Sequence, residues 1–279
     1  MLDAHIPNHV AIGHSPNKHN QEFTGKDIVV GVIDTEIAVQ HPAFDGHTSL
    51  RQRFTPEPWG KPRNHGTAVA GIIGSRDRGH IGLAPDVEIY NYKIYPYGSE
   101  TSAALAIERA VEDGVHIVNA SWRVGSRAIH RTVSAVDFAW LTGVAVVKSA
   151  GNVGPREGTL TPPAGAAGLV VVGATDVHGQ SVQDYSSRGP LSGRTGPDVV
   201  APGGNSAIPL ECCLVNGGFG GAGWGTSFAA PHVSSLLACL IEQNPDLSPD
   251  ELRSTVRNHA QPLAGCGPDA QGMGIMQFV

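Results

Sequence analysis

Ser227, in the run GWGTSFAAPHVSSLLACLIEQ, follows Gly-Thr and precedes a long apolar pattern of helical period. A serine there can cap the helix, or it can act as a nucleophile at the helix end that favours anions. Three other residues decide which chemistry is open to it. Asp34 closes the apolar run IVVGVI, His65 stands in RNHGTAVAGIIGS before a run of small residues, and Asn152 ends VVKSAGN. Taken singly they read as a turn aspartate, a structural or solvent-facing histidine and a turn asparagine. Taken together they make up a nucleophile, a general base, an orienting carboxylate and an amide donor.

The chemistry accounts for the residue types. A serine hydroxyl is a poor nucleophile near neutral pH, so a neutral imidazole must take its proton as it attacks. A carboxylate accepting the other ring N–H fixes the tautomer and the orientation. The tetrahedral oxyanion needs donors set in advance, which the Asn152 amide and the Ser227 N–H at a helix start can supply. Turnover is then expected to fall as pH drops through the histidine pKa, about 6.5 if unperturbed.

Such groups must be held by strand ends. The runs IVVGVI (28–33), VEIY (87–90), VHIV (115–118), VAVV (144–147) and LVVV (169–172) are β-branched and continuous, the pattern of strands covered on both faces. Helical patterns lie between them at 101–113 and 127–142, closed by Gly114 and Gly143, and Ser248-Pro249-Asp250-Glu251 forms a capping box. The alternation predicts an α/β fold, a three-layer, doubly wound, mostly parallel sheet with helices on both faces. Chemistry in such sheets gathers at the carboxyl ends of strands. The longest apolar stretch, after Ser227, is interrupted by Pro231 and His232 and is too short to span a membrane.

With 279 residues, 41% apolar and 16% charged, the chain is read as a single domain over 1–279, with 1–24 an N-terminal extension packed on it. A net charge of −6 and the lack of a basic run argue against nucleic acid. No apolar stretch reaches the roughly 18 residues of a membrane span, and the N-terminus lacks a signal-peptide layout. Cys212, Cys213, Cys239 and Cys266 fit neither a disulfide framework nor a zinc spacing. Free thiols and a cytoplasmic location are the expectation, with a secreted mature form as the alternative.

The segments VIDTEIAVQHP, HGTAVAG, SAGN and GTSFAAPHVS, in that order, resemble the four signature segments of the subtilisin-like serine peptidases, and DYSSRGP and PDVVAPG resemble two more. The likeness runs from about residue 25 to 260. It implies a Ser227–His65–Asp34 triad, Asn152 in the oxyanion site, and substrate contacts at Ser121, Trp122, Arg123, Ala150 and Gly151. Cofactors are not expected. The calcium site common in secreted members is expected to be absent, because Ala43 replaces an aspartate and the loop SRDRGHIG is short and basic.

Other departures bear on specificity. Ala68 stands where a histidine usually follows HGT. Ser121-Trp122-Arg123 replaces a Ser-Leu-Gly segment; Arg123 is read first as pointing into solvent, and the alternative is that its bulk and positive charge narrow the first specificity pocket or make it favour acidic or small side chains. The loop IYPYGSE (94–100) is short, implying an open cleft or a partner-supplied wall. Lys148 is expected to reach the cleft edge or to pair with a carboxylate. Asp34 stands so near Met1 that no inhibitory prodomain is expected in this sequence, which reads either as a mature or trimmed form or as a branch that folds without one.

The leading reading is a serine endopeptidase acting through an acyl-enzyme on a peptide or protein substrate. The stretch HPAFDGHTSL resembles peptidases that mature ribosomally made peptides, so a precursor or leader peptide is one expected partner. The alternatives are a macrocyclase or transpeptidase, in which an amine replaces water, and a peptide-binding pseudoprotease.

Overall fold

The five apolar runs all become parallel strands, and each strand ends later than the run that marks it. The computed structural model describes residues 7–13, 22–123 and 130–278. In chain order come α1 (Pro7–Ala11), β1 (Val29–Asp34), β2 (Thr48–Arg53), α2 (Asn64–Gly74), β3 (Glu88–Lys93) and α3 (Glu100–Glu112). Then follow β4 (Ile117–Ala120), α4 (His130–Leu141), β5 (Ala145–Ser149), β6 (Val170–Thr175) and β7 (Val199–Pro202). The hairpin β8 (Leu210–Cys213) and β9 (Phe219–Gly223), then α5 (Thr226–Gln243), α6 (Pro249–His259) and α7 (Pro268–Gln271), complete the chain. Residues 127–129 of the helix expected over 127–142 lie outside the described residues.

Seven strands form one sheet in the order β2-β3-β1-β4-β5-β6-β7, and every neighbouring pair is parallel. From β4 the strands β5, β6 and β7 run outward in chain order, whereas on the other side β3 lies beside β1 and β2 beyond it at the edge. The direction therefore reverses at β1/β4, where such sheets bind ligands. Two cores result. Residues of α2 and α5 pack on one face of the sheet and residues of α3 and α4 on the other, giving the expected three-layer α/β fold.

α5 is the central helix, buried continuously from Phe228 to Ile241, as befits a helix apolar on all sides. Pro231 sits inside the helix without ending it. A proline inside a helix leaves the carbonyl four residues earlier without its donor, and here that carbonyl belongs to Ser227. Ser121 Oγ supplies the missing bond, at 2.8 Å. A second buried polar knot joins β7 to α6: Asp198 accepts from Arg194, Arg253 and Arg257 and from the Val171 N–H. Burial works to raise its pKa, but the neighbouring guanidinium charges outweigh that and hold the carboxyl below its usual range. Ser248 caps α6 through the reciprocal bonds with Glu251. In the described part of the N-terminal extension, Ile12 is buried and its carbonyl accepts from the Phe278 N–H.

Candidate active site

Asp34 is the last residue of β1, and His65 the second of α2. The helix starts close against the segment after Asp34, because Gly66 has no side chain. A Cβ there would lie 2.7 Å from the Thr35 carbonyl oxygen, and the Gly66 N–H bonds Thr35 Oγ1 at 2.9 Å. This approach sets His65 Nδ1 2.7 Å from Asp34 Oδ1, which also accepts the Thr35 N–H at 2.6 Å. A carboxylate can only accept, so the proton of a neutral His65 belongs on Nδ1, and Nε2 keeps its lone pair. Burial works to lower the His65 pKa, but the charge and hydrogen bond of Asp34 outweigh it and the pKa is raised. The Phe228 ring meets the imidazole edge-on at 5.5 Å.

Ser227 is the second residue of α5, and its side chain does not cap the helix. The cap position is Gly225, at φ 139°. That conformation favours glycine, and the spot is crowded, because a Cβ there would lie 2.8 Å from Asn152 Nδ2. Ser227 Oγ donates to the Ser121 carbonyl at 3.2 Å, so the nucleophile must rotate to engage His65. Its N–H belongs to the first turn, whose donors have no partner inside the helix. Asn152, just after β5, accepts from Thr226 N–H at 3.0 Å and Thr226 Oγ1 at 2.8 Å through Oδ1. Those two donors fix the amide orientation and leave Nδ2 as the outward donor.

Ser227, His65 and Asn152 line one cavity of about 470 Å³, with Ser121, Trp122, Arg123, Ser149, Gly151, Thr161, Tyr95, Thr35 and Thr226 among its other walls. Ala150 lies beneath: its N–H bonds the Val172 carbonyl, and its own carbonyl accepts from Thr161. Tyr95, from the short loop after β3, donates to the Arg123 carbonyl at 2.7 Å across the cleft. The sequence reading passed over Tyr95, Thr226 and Thr35. Only loop length pointed to the first, and nothing but adjacency to Ser227 and Asp34 to the others.

The site rests on a buried ion cluster that no motif announces. Lys93, paired in register with Asp34 and 0% exposed, meets Glu36 at 2.9 Å, Glu57 at 3.0 Å and the Pro58 carbonyl at 2.7 Å. Glu36 in turn accepts the N–H groups of Gly60 and Lys61, and its carbonyl accepts that of Arg63. The loop leading into α2 is thereby fastened to the end of β1. Lys93→Met leaves buried Glu36 without its cation while Glu57 keeps Arg63, and the expected cost is about 3 kcal/mol of stability, read as a lower urea midpoint with an unchanged slope.

Three further expectations find their places. Lys148 is fully buried, bonded to the carbonyl and Oγ of Ser149. Among the described residues no carboxylate pairs with it, so it neither reaches the cleft edge nor forms an ion pair, which corrects the sequence reading. The four cysteines are free; burial pushes the Cys213 thiol up to about 12. In the loop after α2, Asp77 Oδ1 is taken by the N–H groups of Gly79 and His80 and by the His80 ring, and Arg76 reaches the Pro85 carbonyl. A guanidinium and an occupied carboxylate oxygen are a poor set for a hard cation. Among the described residues no cluster of three metal-ligating side chains occurs, and no helix is long and apolar enough to cross a membrane.

Residues 25–274 match the sequence profile of the subtilase family. Over 279 residues the chain is 33% identical to subtilisin Savinase of Lederbergia lenta, with 96% of each chain covered. Among solved structures it superposes on Sphericase with a TM-score of 0.83 at 26% identity, covering 100% of this chain and 99% of the other. The prenylagaramide maturation protease PagA gives 0.75 at 27% identity, covering 91% and 92%.

Proposed function

The chain belongs to the subtilase family as a subtilisin-like serine protease, and from that premise we propose that it cleaves peptide bonds through an acyl-enzyme on Ser227. The observation that carries this reading is the 2.7 Å bond from His65 Nδ1 to buried Asp34, in a cavity shared with Ser227 and Asn152. Ser227 Oγ turns from the Ser121 carbonyl to His65 Nε2, gives up its proton and attacks the substrate carbonyl carbon. Asp34 stabilises the imidazolium that forms. The oxyanion is held by Asn152 Nδ2 and the Ser227 N–H. His65 then protonates the departing amine, and a water deprotonated by the same nitrogen hydrolyses the ester. Ser121, Trp122, Arg123 and Gly151 bound the substrate, with Ala150 supporting Gly151 from below.

Trimming of a precursor or leader peptide is the finer reading, supported by the likeness to a structure named as a peptide maturation protease. Product masses test it against the alternatives. Hydrolysis leaves two fragments that together weigh one water more than the peptide, whereas cyclisation adds no water to the pair. A peptide bound but never altered would favour a binding protein. We further propose that the loop after α2 carries no calcium, supported by the commitments of Arg76 and Asp77. The melting temperature is expected to be the same with and without a chelator, and a drop on chelation would overturn this. A reducing compartment, the cytoplasm, is the location we infer from the four free cysteines.

A further inference from the structure

Arg123 brings a fixed positive charge to the catalytic cavity, His65 is its other basic residue, and among the described residues no carboxylate lines it. Trp122 is 4% exposed, and its indole N–H is buried without an acceptor. Directly behind the lining residue Ser149 stands Lys148, with its Nζ 5.6 Å from the centre of the Trp122 ring. Its cross-strand neighbours, Ala120 on β4 and Val171 on β6, are apolar. An ammonium carries three donors, and the acceptors Lys148 finds are both in Ser149.

A cation removed from water without a counter-ion is strongly unfavourable. The chain's other fully buried lysine shows the contrast, since Lys93 has two carboxylates. Lys148 has none among the described residues, and burial alone lowers its pKa to about 7. The two residues that Lys148 meets, Ser149 and Trp122, both line the cavity.

We propose that the substrate supplies that counter-ion: the residue whose carbonyl Ser227 attacks is Glu or Asp, its carboxylate entering between Trp122 and Ser149. Lys148 lies behind the carboxylate, the Trp122 N–H gives it a donor, and Arg123 attracts it at the mouth. This inference rests on the reading of Ser227 as the nucleophile. It makes Lys148 a specificity residue, held out of contact with solvent until an acidic side chain arrives.

Peptides identical except for Glu, Gln or Leu before the cut site provide the test, with products identified by mass. The wild type is expected to favour Glu over Gln by at least about tenfold in kcat/KM, within the range of a charged hydrogen bond against a neutral one. That ratio is expected to fall from about pH 6 to about pH 9, as Lys148 loses its proton while Glu stays ionised. Lys148→Met removes the Glu preference and keeps cleavage of the Leu peptide. Arg123→Ala, at an exposed position that cannot endanger folding, lowers the ratio by a smaller factor. Equal cleavage of Glu, Gln and Leu by the wild type would overturn the inference and leave the protease reading standing. So would a Glu preference that survives Lys148→Met. Absence of both cleavage and a fluorophosphonate adduct would overturn the reading of Ser227, and the inference with it.

Discussion

Ser227→Ala is expected to lower kcat by about 10⁶-fold, a magnitude set by subtilisin's own triad, while folding and peptide binding persist. The members of a triad act as one unit, so losing the nucleophile forfeits the acyl-enzyme route altogether. The fold should barely respond. Alanine is the best helix former, Ser227 is not the helix cap, and the one bond its hydroxyl makes, to the Ser121 carbonyl, is long at 3.2 Å. Its backbone carbonyl, freed by Pro231, keeps the Ser121 hydroxyl in the variant. Turnover of a cleavable peptide, measured beside a melting curve, checks both halves of the expectation.

Asp34→Ala is expected to lower kcat by about 10⁴-fold and also to move the pH profile. In the wild type His65 must be neutral to act as base, and its pKa lies above 6.5 because Asp34 outweighs burial. The acid limb of kcat/KM is therefore expected above pH 6.5, higher than an unperturbed histidine would place it. Removing Asp34 removes both causes that raise the pKa and leaves burial, which lowers it. The acid limb of the residual activity then moves below 6.5. A loss of rate without that shift would mean that His65 is not the titrating base.

The same residues explain what could be read from sequence and what could not. Asp34, His65, Asn152 and Ser227 were legible because each stands beside a local pattern: the end of an apolar strand, a small-residue helix, a strand-end turn and a glycine-led helix start. Strand ends were less so. β1, β3 and β5 run on to Asp34, Lys93 and Ser149, whose backbones stay in the ladder although their side chains are polar. Strand β2, TSLRQR, lies at the sheet edge with its far half exposed, so apolarity never marked it. The glycine-rich β9 gave no strand signal either. How α5 accommodates Pro231 is not visible in the local sequence, because the bond to the freed Ser227 carbonyl comes from Ser121, far away in the chain. The Glu36–Lys93–Glu57 cluster is hidden for the same reason, since its members meet only when β1, β3 and the loop before α2 are assembled.

Specificity was half legible. Trp122 and Arg123 drew notice by replacing smaller residues beside the pocket. Lys148 stood out as a charge at the end of an apolar strand. Only the folded chain puts its ammonium behind Ser149 and against the Trp122 ring, with no carboxylate to meet it among the described residues.

The central claim is that Ser227, His65 and Asn152 form one working nucleophile and oxyanion site. Intact mass after incubation with a fluorophosphonate tests it most directly, on the wild type beside Ser227→Ala. A single adduct on the wild type and none on the variant is the predicted result. An unmodified wild type, or an adduct that persists in Ser227→Ala, would contradict it.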